Sequence, residues 1–242
     1  MLKIQTPPAK FATQEKLYLT LRKKEGRLYS DTEVSELPYI SKDHPLIKEW
    51  KVRKHSSQRL IRYLSKLERP LRILEIGCGN GWLCKRLSSI KDSNITGLDI
   101  NMLELEQAEK VFGTKANISF IYGDIVEGIL PLKSFDVIVL GSSLQYFVDA
   151  KAIIERLILL LGNNGEVHIF DSPIYKTPEE ALEAKERSTK YFESMGAKDM
   201  AQYYSHHTYD FLKKFNYTVI QPNLRERVLG LNRFPWIIIK QG

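Results

Sequence analysis

Glycines alternate along Leu74-Glu75-Ile76-Gly77-Cys78-Gly79-Asn80-Gly81, with an acid two residues before the first; no other stretch of the chain is so suited by type and spacing to chemistry. An apolar run, Leu71 to Ile76, leads in, and an amphipathic run, Trp82 to Ser89, leads out, which predicts strand, tight turn and helix. Glycines at such a turn let the backbone bend sharply and approach a ligand, and the start of the next helix offers N–H groups without intrahelical partners. A cofactor site is implied. The dinucleotide fingerprint G-x-G-x-x-G fails here, because its third glycine falls at Trp82, where the helix would have to pack closely.

Further polar groups stand where further strands should end. Asp99 closes the run Ile95 to Asp99, followed by Ile100 and Asn101. Asp124 and Ile125 follow Ile118 to Tyr122, and Gly141, Ser142 and Ser143 follow Phe135 to Leu140. More strands are read at Gly165 to Phe170, Tyr217 to Gln221 and Phe234 to Lys240. Helical patterns at Met102 to Phe112 and Asp149 to Leu161 alternate with them, as in a parallel sheet with crossover helices. Asn101 reads as the N-cap of the first of these helices, with Glu104 as its capping-box acid. In such a fold the carboxyl ends of the strands gather at one edge, beside the point where the strand order reverses, and ligands bind there.

The Glu-x-Gly-x-Gly-x-Gly turn, the strand-end Asp99 and the Gly123-Asp124 pair resemble the motifs of the class I S-adenosylmethionine-dependent methyltransferases, in register from Leu71 to about His168. The resemblance implies a doubly wound, mostly parallel, seven-stranded α/β sheet of order 3-2-1-4-5-7-6, whose last two strands, joined by a turn from Asn223 to Asn232, are antiparallel. It implies S-adenosyl-L-methionine as cofactor and S-adenosyl-L-homocysteine as product. Glu75, Gly77, Cys78 and Gly79 would surround the methionine and ribose parts. Asp99 would accept the ribose hydroxyls, with Ile100 and Asn101 beside it, and Asp124 with Ile125 would meet the adenine. Gly141 and Ser142 would lie beside the transferable methyl. From an N-terminal helix folded over the cofactor, Arg53 and Tyr39 are candidates for its carboxylate end.

Residues 1–70 read as a helical N-terminal extension or lid, and residues 71–242 as the methyltransferase domain, with an insertion at 172–207. Leu46 to Leu67 has apolar residues at helical spacing and a basic exterior; Phe11 to Arg22 is a weaker helix, and Ser30 to Ser41 reads as a loop. In the insertion, Thr177, Pro178 and Glu180 open a helix that Gly196 ends. Methyl transfer needs mainly an acceptor held in line, so a general base is optional. The candidates are His44, Tyr146, Asp171, His206 and His207, each with a plain alternative as helix entry, turn cap or packing residue. His168, inside a strand, reads as a satisfied core histidine.

Composition narrows the setting. The 242 residues, 43% hydrophobic and 27% charged, are those of a globular chain. Cys78 and Cys84 fit neither a disulfide framework nor a zinc pattern, so free thiols and no metal are expected. No stretch is apolar enough to span a membrane, and MLKIQTPPAK has no apolar leader core, which gives a cytoplasmic expectation. The net charge of +7 is concentrated: residues 1–70 hold 16 of the 36 basic and 8 of the 29 acidic residues. A small-molecule acceptor is the leading reading, and an RNA or protein acceptor gripped by that basic segment is the second. Against the second, Gly141-Ser142-Ser143-Leu144 is not an Asn/Asp-Pro-Pro-aromatic loop, and there is no Pro-Cys nucleophile pair. A nicotinamide dehydrogenase is disfavoured by Trp82, while a cofactor-binding homologue without catalysis and membrane association of helix 46–67 stay open. Oligomeric state leaves no mark on the sequence.

Overall fold

The structure, a computed structural model, describes residues 1–231 and 234–241. Its strands are β1 (Lys3–Ile4), β2 (Leu71–Ile76), β3 (Ser93–Asp99), β4 (Ile118–Tyr122), β5 (Phe135–Gly141), β6 (Leu161–Phe170), β7 (Ile174–Tyr175), β8 (His207–Thr208), β9 (Asn216–Ile220) and β10 (Trp236–Lys240). The α-helices are α1 (Ala12–Lys24), α2 (Asp31–Glu36), α3 (Ile47–Ser65), α4 (Trp82–Leu87), α5 (Met102–Phe112), α6 (Ala150–Leu160), α7 (Pro178–Ser194) and α8 (Leu224–Val228).

The main sheet runs β1-β4-β3-β2-β5-β6-β10-β9, parallel except where β10 pairs antiparallel with β6 and β9. This is the expected seven-strand order with one strand added, because Lys3 and Ile4 pair parallel with Ile121 and Tyr122 and extend the rim. Strand residues alternate between two apolar layers. Ile73, Val137 and Val139 face α3, α4 and α5, while Leu74, Ile138 and Leu140 face α6 and the stretch 209–214. Helix α3 buries Trp50, Ser57, Leu60 and Leu64, a stripe at helical spacing, and leaves Lys48, Lys51 and Arg62 in water.

The structure corrects several expectations. Part of the Ser30–Ser41 loop is helix α2: Ser30 accepts from the Glu33 N–H, and Glu33 in turn accepts from the Ser30 N–H, a complete capping box. The capping box expected at Asn101 is only half made: Asn101 Oδ1 takes the Glu104 N–H (3.1 Å), while the Asn101 N–H goes to Asp99 Oδ1 (2.9 Å). The turn after β9 contains helix α8; Asn232, where that turn was expected to end, lies outside the described residues, as does Arg233. Insertion 172–207 carries α7 as read, with Thr177 capping it, and also forms a short parallel ladder, β7 with β8. A third apolar cluster joins Leu21 of α1 to Phe192, Ala197 and Met200 of the insertion, so two segments far apart in sequence share one small core. No helix among the described residues is long and apolar enough to cross a membrane.

Candidate active site

The loops that leave β2, β3, β4 and β5 line one cavity of about 270 Å³ at the carboxyl edge of the sheet. Each loop holds its neighbour. The Gly77 and Cys78 N–H groups donate to the Leu98 carbonyl (2.8 and 3.2 Å), and the Gly123 N–H donates to that of Asp99 (3.0 Å). Ser143 Oγ donates to the Ile76 carbonyl at 2.7 Å. Gly77 sits at φ +72°, and a Cβ there would stand 2.6 Å from that of Ser143, so both the turn and the loop contact require glycine.

Asp99 is the knot of this floor. Its carboxylate accepts from the N–H groups of Gly79 (2.7 Å), Ile100 (2.7 Å) and Asn101 (2.9 Å). Burial pushes its pKa upward, and these donors pull against that. Glu75 is buried below the glycine turn, where desolvation drives its pKa to about 8 although the Cys84 thiol donates to Oε2 at 3.0 Å. Burial also raises both thiols, Cys78 to about 12. Asp124 reaches the wall already engaged by Lys10 (2.8 Å) and the Val126 N–H (3.0 Å).

The roof comes from α1, α3 and the segments beside them. Arg22 donates to Glu25 (2.7 Å) and to the Tyr146 hydroxyl (2.8 Å), and its guanidinium lies 4.7 Å from the Tyr18 ring centre. Arg27 forks onto Glu49, which also takes Arg53 Nε at 2.9 Å. Burial works to raise the Glu49 pKa, but the Arg27 hydrogen bonds and the Arg53 charge outweigh it and hold the group at about 2. Arg53 also stands 3.5 Å from Ser142 Oγ, bridging roof and floor. Tyr146 meets Tyr18 and Tyr204 edge-on, at ring distances of 5.8 and 5.7 Å.

Of the residues singled out from sequence, Glu75, Gly77, Cys78, Gly79, Asp99, Ile100, Asn101, Asp124, Ile125, Gly141, Ser142, Arg53 and Tyr146 line this cavity. Five others do not. Tyr39 is an exposed surface ring over which Lys54 and Arg86 lie, because the turn after α2 carries it outward. His44 caps the entry to α3, its Nδ1 accepting the Leu46 N–H. Asp171 points to Ser56 of α3, whose hydroxyl donates to it at 2.7 Å. His206 pairs with Ser188 (2.9 Å), and burial drops its pKa to about 4; His207 packs against Phe211. His168 is fully buried between Glu166 and the Trp236 N–H, as a core histidine should be. Sequence reasoning missed Tyr18, Arg22, Arg27, Glu49 and Glu104 on the wall. The i, i+4 spacings of Tyr18 with Arg22 and of Glu49 with Arg53 were the available signals.

A doubly wound sheet with a glycine-rich first turn, and acids ending or following the next two strands, defines a domain built to hold a nucleoside-bearing cofactor. A family model described as a methyltransferase domain matches residues 67–220. Malonyl-[acyl-carrier protein] O-methyltransferase 1 of Ilyobacter polytropus is 29% identical over 143 residues, 58% of this chain and 53% of that protein. The malonyl-[acyl-carrier protein] O-methyltransferase of Halalkalibacterium halodurans is 32% identical over 123 residues, 47% of this chain and 45% of its own. The chain thus spans about half the length of these curated relatives. The plantazolicin methyltransferase BpumL, solved with a triazolic desmethylPZN analog and SAH, shares the fold at a TM-score of 0.57 and 18% identity, over 98% of this chain and 100% of that one.

This chain belongs to the methyltransferase-domain family, of the class I type that uses S-adenosylmethionine. Its cavity fits that cofactor on structural grounds. Side chains are missing where Gly77 and Gly79 face the wall, a strand-end carboxylate stands beside them, and the Asn101 amide nitrogen is buried with no hydrogen-bond partner among the described residues.

Proposed function

We propose that this chain transfers a methyl group from S-adenosylmethionine to a small-molecule acceptor held under its own roof. The observation that carries the reading is the enclosure: four strand-end loops form the floor, and Tyr18, Arg22, Tyr146 and Met200 help close the cavity. When bound, the cofactor supplies a methyl carbon activated by its sulfonium. The chain's part is to hold, align and keep water away. The glycine turn and Asp99 form the cradle for the nucleoside and methionine parts, and Arg53, beside Ser142, is placed for a carboxylate end.

Tyr146 is the catalytic candidate the geometry favours. Its oxygen already accepts from Arg22, so its own proton is left to donate to an acceptor oxygen and orient it. The two bacterial relatives are named as O-methyltransferases, which makes an oxygen acceptor the first class to test. A nucleic-acid acceptor is the weaker reading, since Lys10, Arg22, Arg27 and Arg53 of the basic segment are already paired with acids. The free thiols of Cys78 and Cys84 suit a cytoplasmic setting. Calorimetric titration with S-adenosylmethionine and S-adenosylhomocysteine tests the reading. Binding of both is expected; no heat and no thermal shift with either overturns it.

A further inference from the structure

Glu104 projects from the first turn of α5 onto the cavity wall and makes no hydrogen bond or ion pair with any described residue. Its backbone N–H is capped by Asn101, and its side chain has no part in that cap. The carboxylate instead lies against the glycine turn, where a Cβ on Gly79 would come within 3.0 Å of Oε2. The other charged groups around it already have partners: Asp99 accepts from three backbone N–H groups, Arg22 donates to Glu25 and Tyr146, and Arg53 Nε pairs with Glu49.

Such a carboxylate is costly. Burial and the neighbouring Asp99 charge push its pKa up to about 7, with Glu15 adding to the rise and Arg22 and Arg53 opposing it. A cation delivered into the same cavity would relieve that cost, and a neutral group would relieve far less. We infer that Glu104 is the counter-charge for a cationic group of the bound cofactor, its sulfonium or its α-ammonium, and so sets which cofactor forms the site prefers. This rests on the reading that the cavity holds S-adenosylmethionine.

The test is calorimetry on the full chain, wild type and Glu104→Gln, with three probes: S-adenosylmethionine, S-adenosylhomocysteine and 5′-methylthioadenosine. The last lacks both cations. Glu104→Gln is expected to weaken S-adenosylmethionine about 10-fold or more, the worth of a charge-assisted contact, and to leave 5′-methylthioadenosine within about twofold. If S-adenosylhomocysteine is unchanged the partner is the sulfonium; if it weakens equally the partner is the α-ammonium. Unchanged S-adenosylmethionine affinity, or an equal loss for 5′-methylthioadenosine that marks a ribose contact, overturns the inference while leaving the function standing. Wild type that binds none of the three overturns both. The ligand-free variant should melt no lower than wild type, because an unpaired, half-buried carboxylate is replaced by a neutral amide. A lower melting point would make Glu104 a structural prop and overturn the inference. Glu104→Met carries the same expectations, should the amide fold poorly.

Discussion

The floor and the roof of the cavity are built by opposite means. The floor is fixed at backbone groups: the Leu98, Asp99 and Ile76 carbonyls accept from the Gly77, Cys78 and Gly123 N–H groups and the Ser143 hydroxyl, and the Asp99 carboxylate draws the first two loops together through three N–H bonds. The roof is side chain: Arg22 and Arg53 each hold an acid one turn away, Glu25 and Glu49, while Arg27 reaches Glu49, Arg22 reaches Tyr146 and Arg53 reaches Ser142 from farther along the chain. A floor of that kind is rigid and generic. A roof of arginine forks and tyrosine edges is adjustable, and it is where acceptor choice should reside.

The sharpest way to break this contrast is at the floor. Gly77→Ala forces a left-handed φ on a side chain that also meets Ser143, so cofactor affinity should fall by about 100-fold or more in calorimetry. An affinity within threefold of wild type would mean that the loops yield as readily as the roof. At the roof, Tyr146→Phe removes the acceptor of the Arg22 bond, and it should raise the acceptor KM or lower kcat about 10-fold. Cofactor affinity should stay within about threefold. Equal losses in both would erase the division of labour.

How much of this could be read in advance follows from the same division. Strand ends are announced by short local patterns, so Glu75, Gly77, Cys78, Gly79, Asp99, Asp124 and Ser142 could be placed from spacing and family resemblance together. Roof residues such as Arg22, Glu49 and Arg53 lie on helices whose other charged positions look alike, and nothing local distinguishes Arg22 from Lys23 except the face it takes. His206 and Asp171 lie off the cavity lining: Ser188 takes one ring nitrogen of His206, and the Ser56 hydroxyl donates to Asp171. Glu104 was hidden by a plausible local role, since Asn101 three residues earlier made it look like half of a cap.

Smaller effects sharpen the comparison. Glu49 is held at about 2 by Arg27 and Arg53, below its unfolded value near 4.5. The pair's stabilisation is therefore present above about pH 4.5 and lost as pH falls toward 2, on the order of 2 kcal/mol for a mostly buried group. Urea melts of Glu49→Gln against wild type should differ at pH 7 and converge near pH 2; parallel curves would remove the roof's electrostatic lock. Last, Lys48 and Lys51 are exposed on the outer face of α3. Replacing both by Ala should change cofactor affinity and melting temperature by little, on the order of 0.5 kcal/mol or less. A large change would show the outer face of α3 working as part of the roof.

The short strand β1 has a consequence of another kind. It covers the β4 rim with Lys3 and Ile4, and the Gln5 N–H continues the ladder to the Tyr122 carbonyl at 2.9 Å. An uncovered rim of Ile118 to Tyr122 would offer free backbone groups on an apolar strand, the template on which separate molecules zip together. A chain shortened past Gln5 should therefore betray itself first as precipitate in the tube, at concentrations where the intact chain stays clear, before any loss of turnover is noticed.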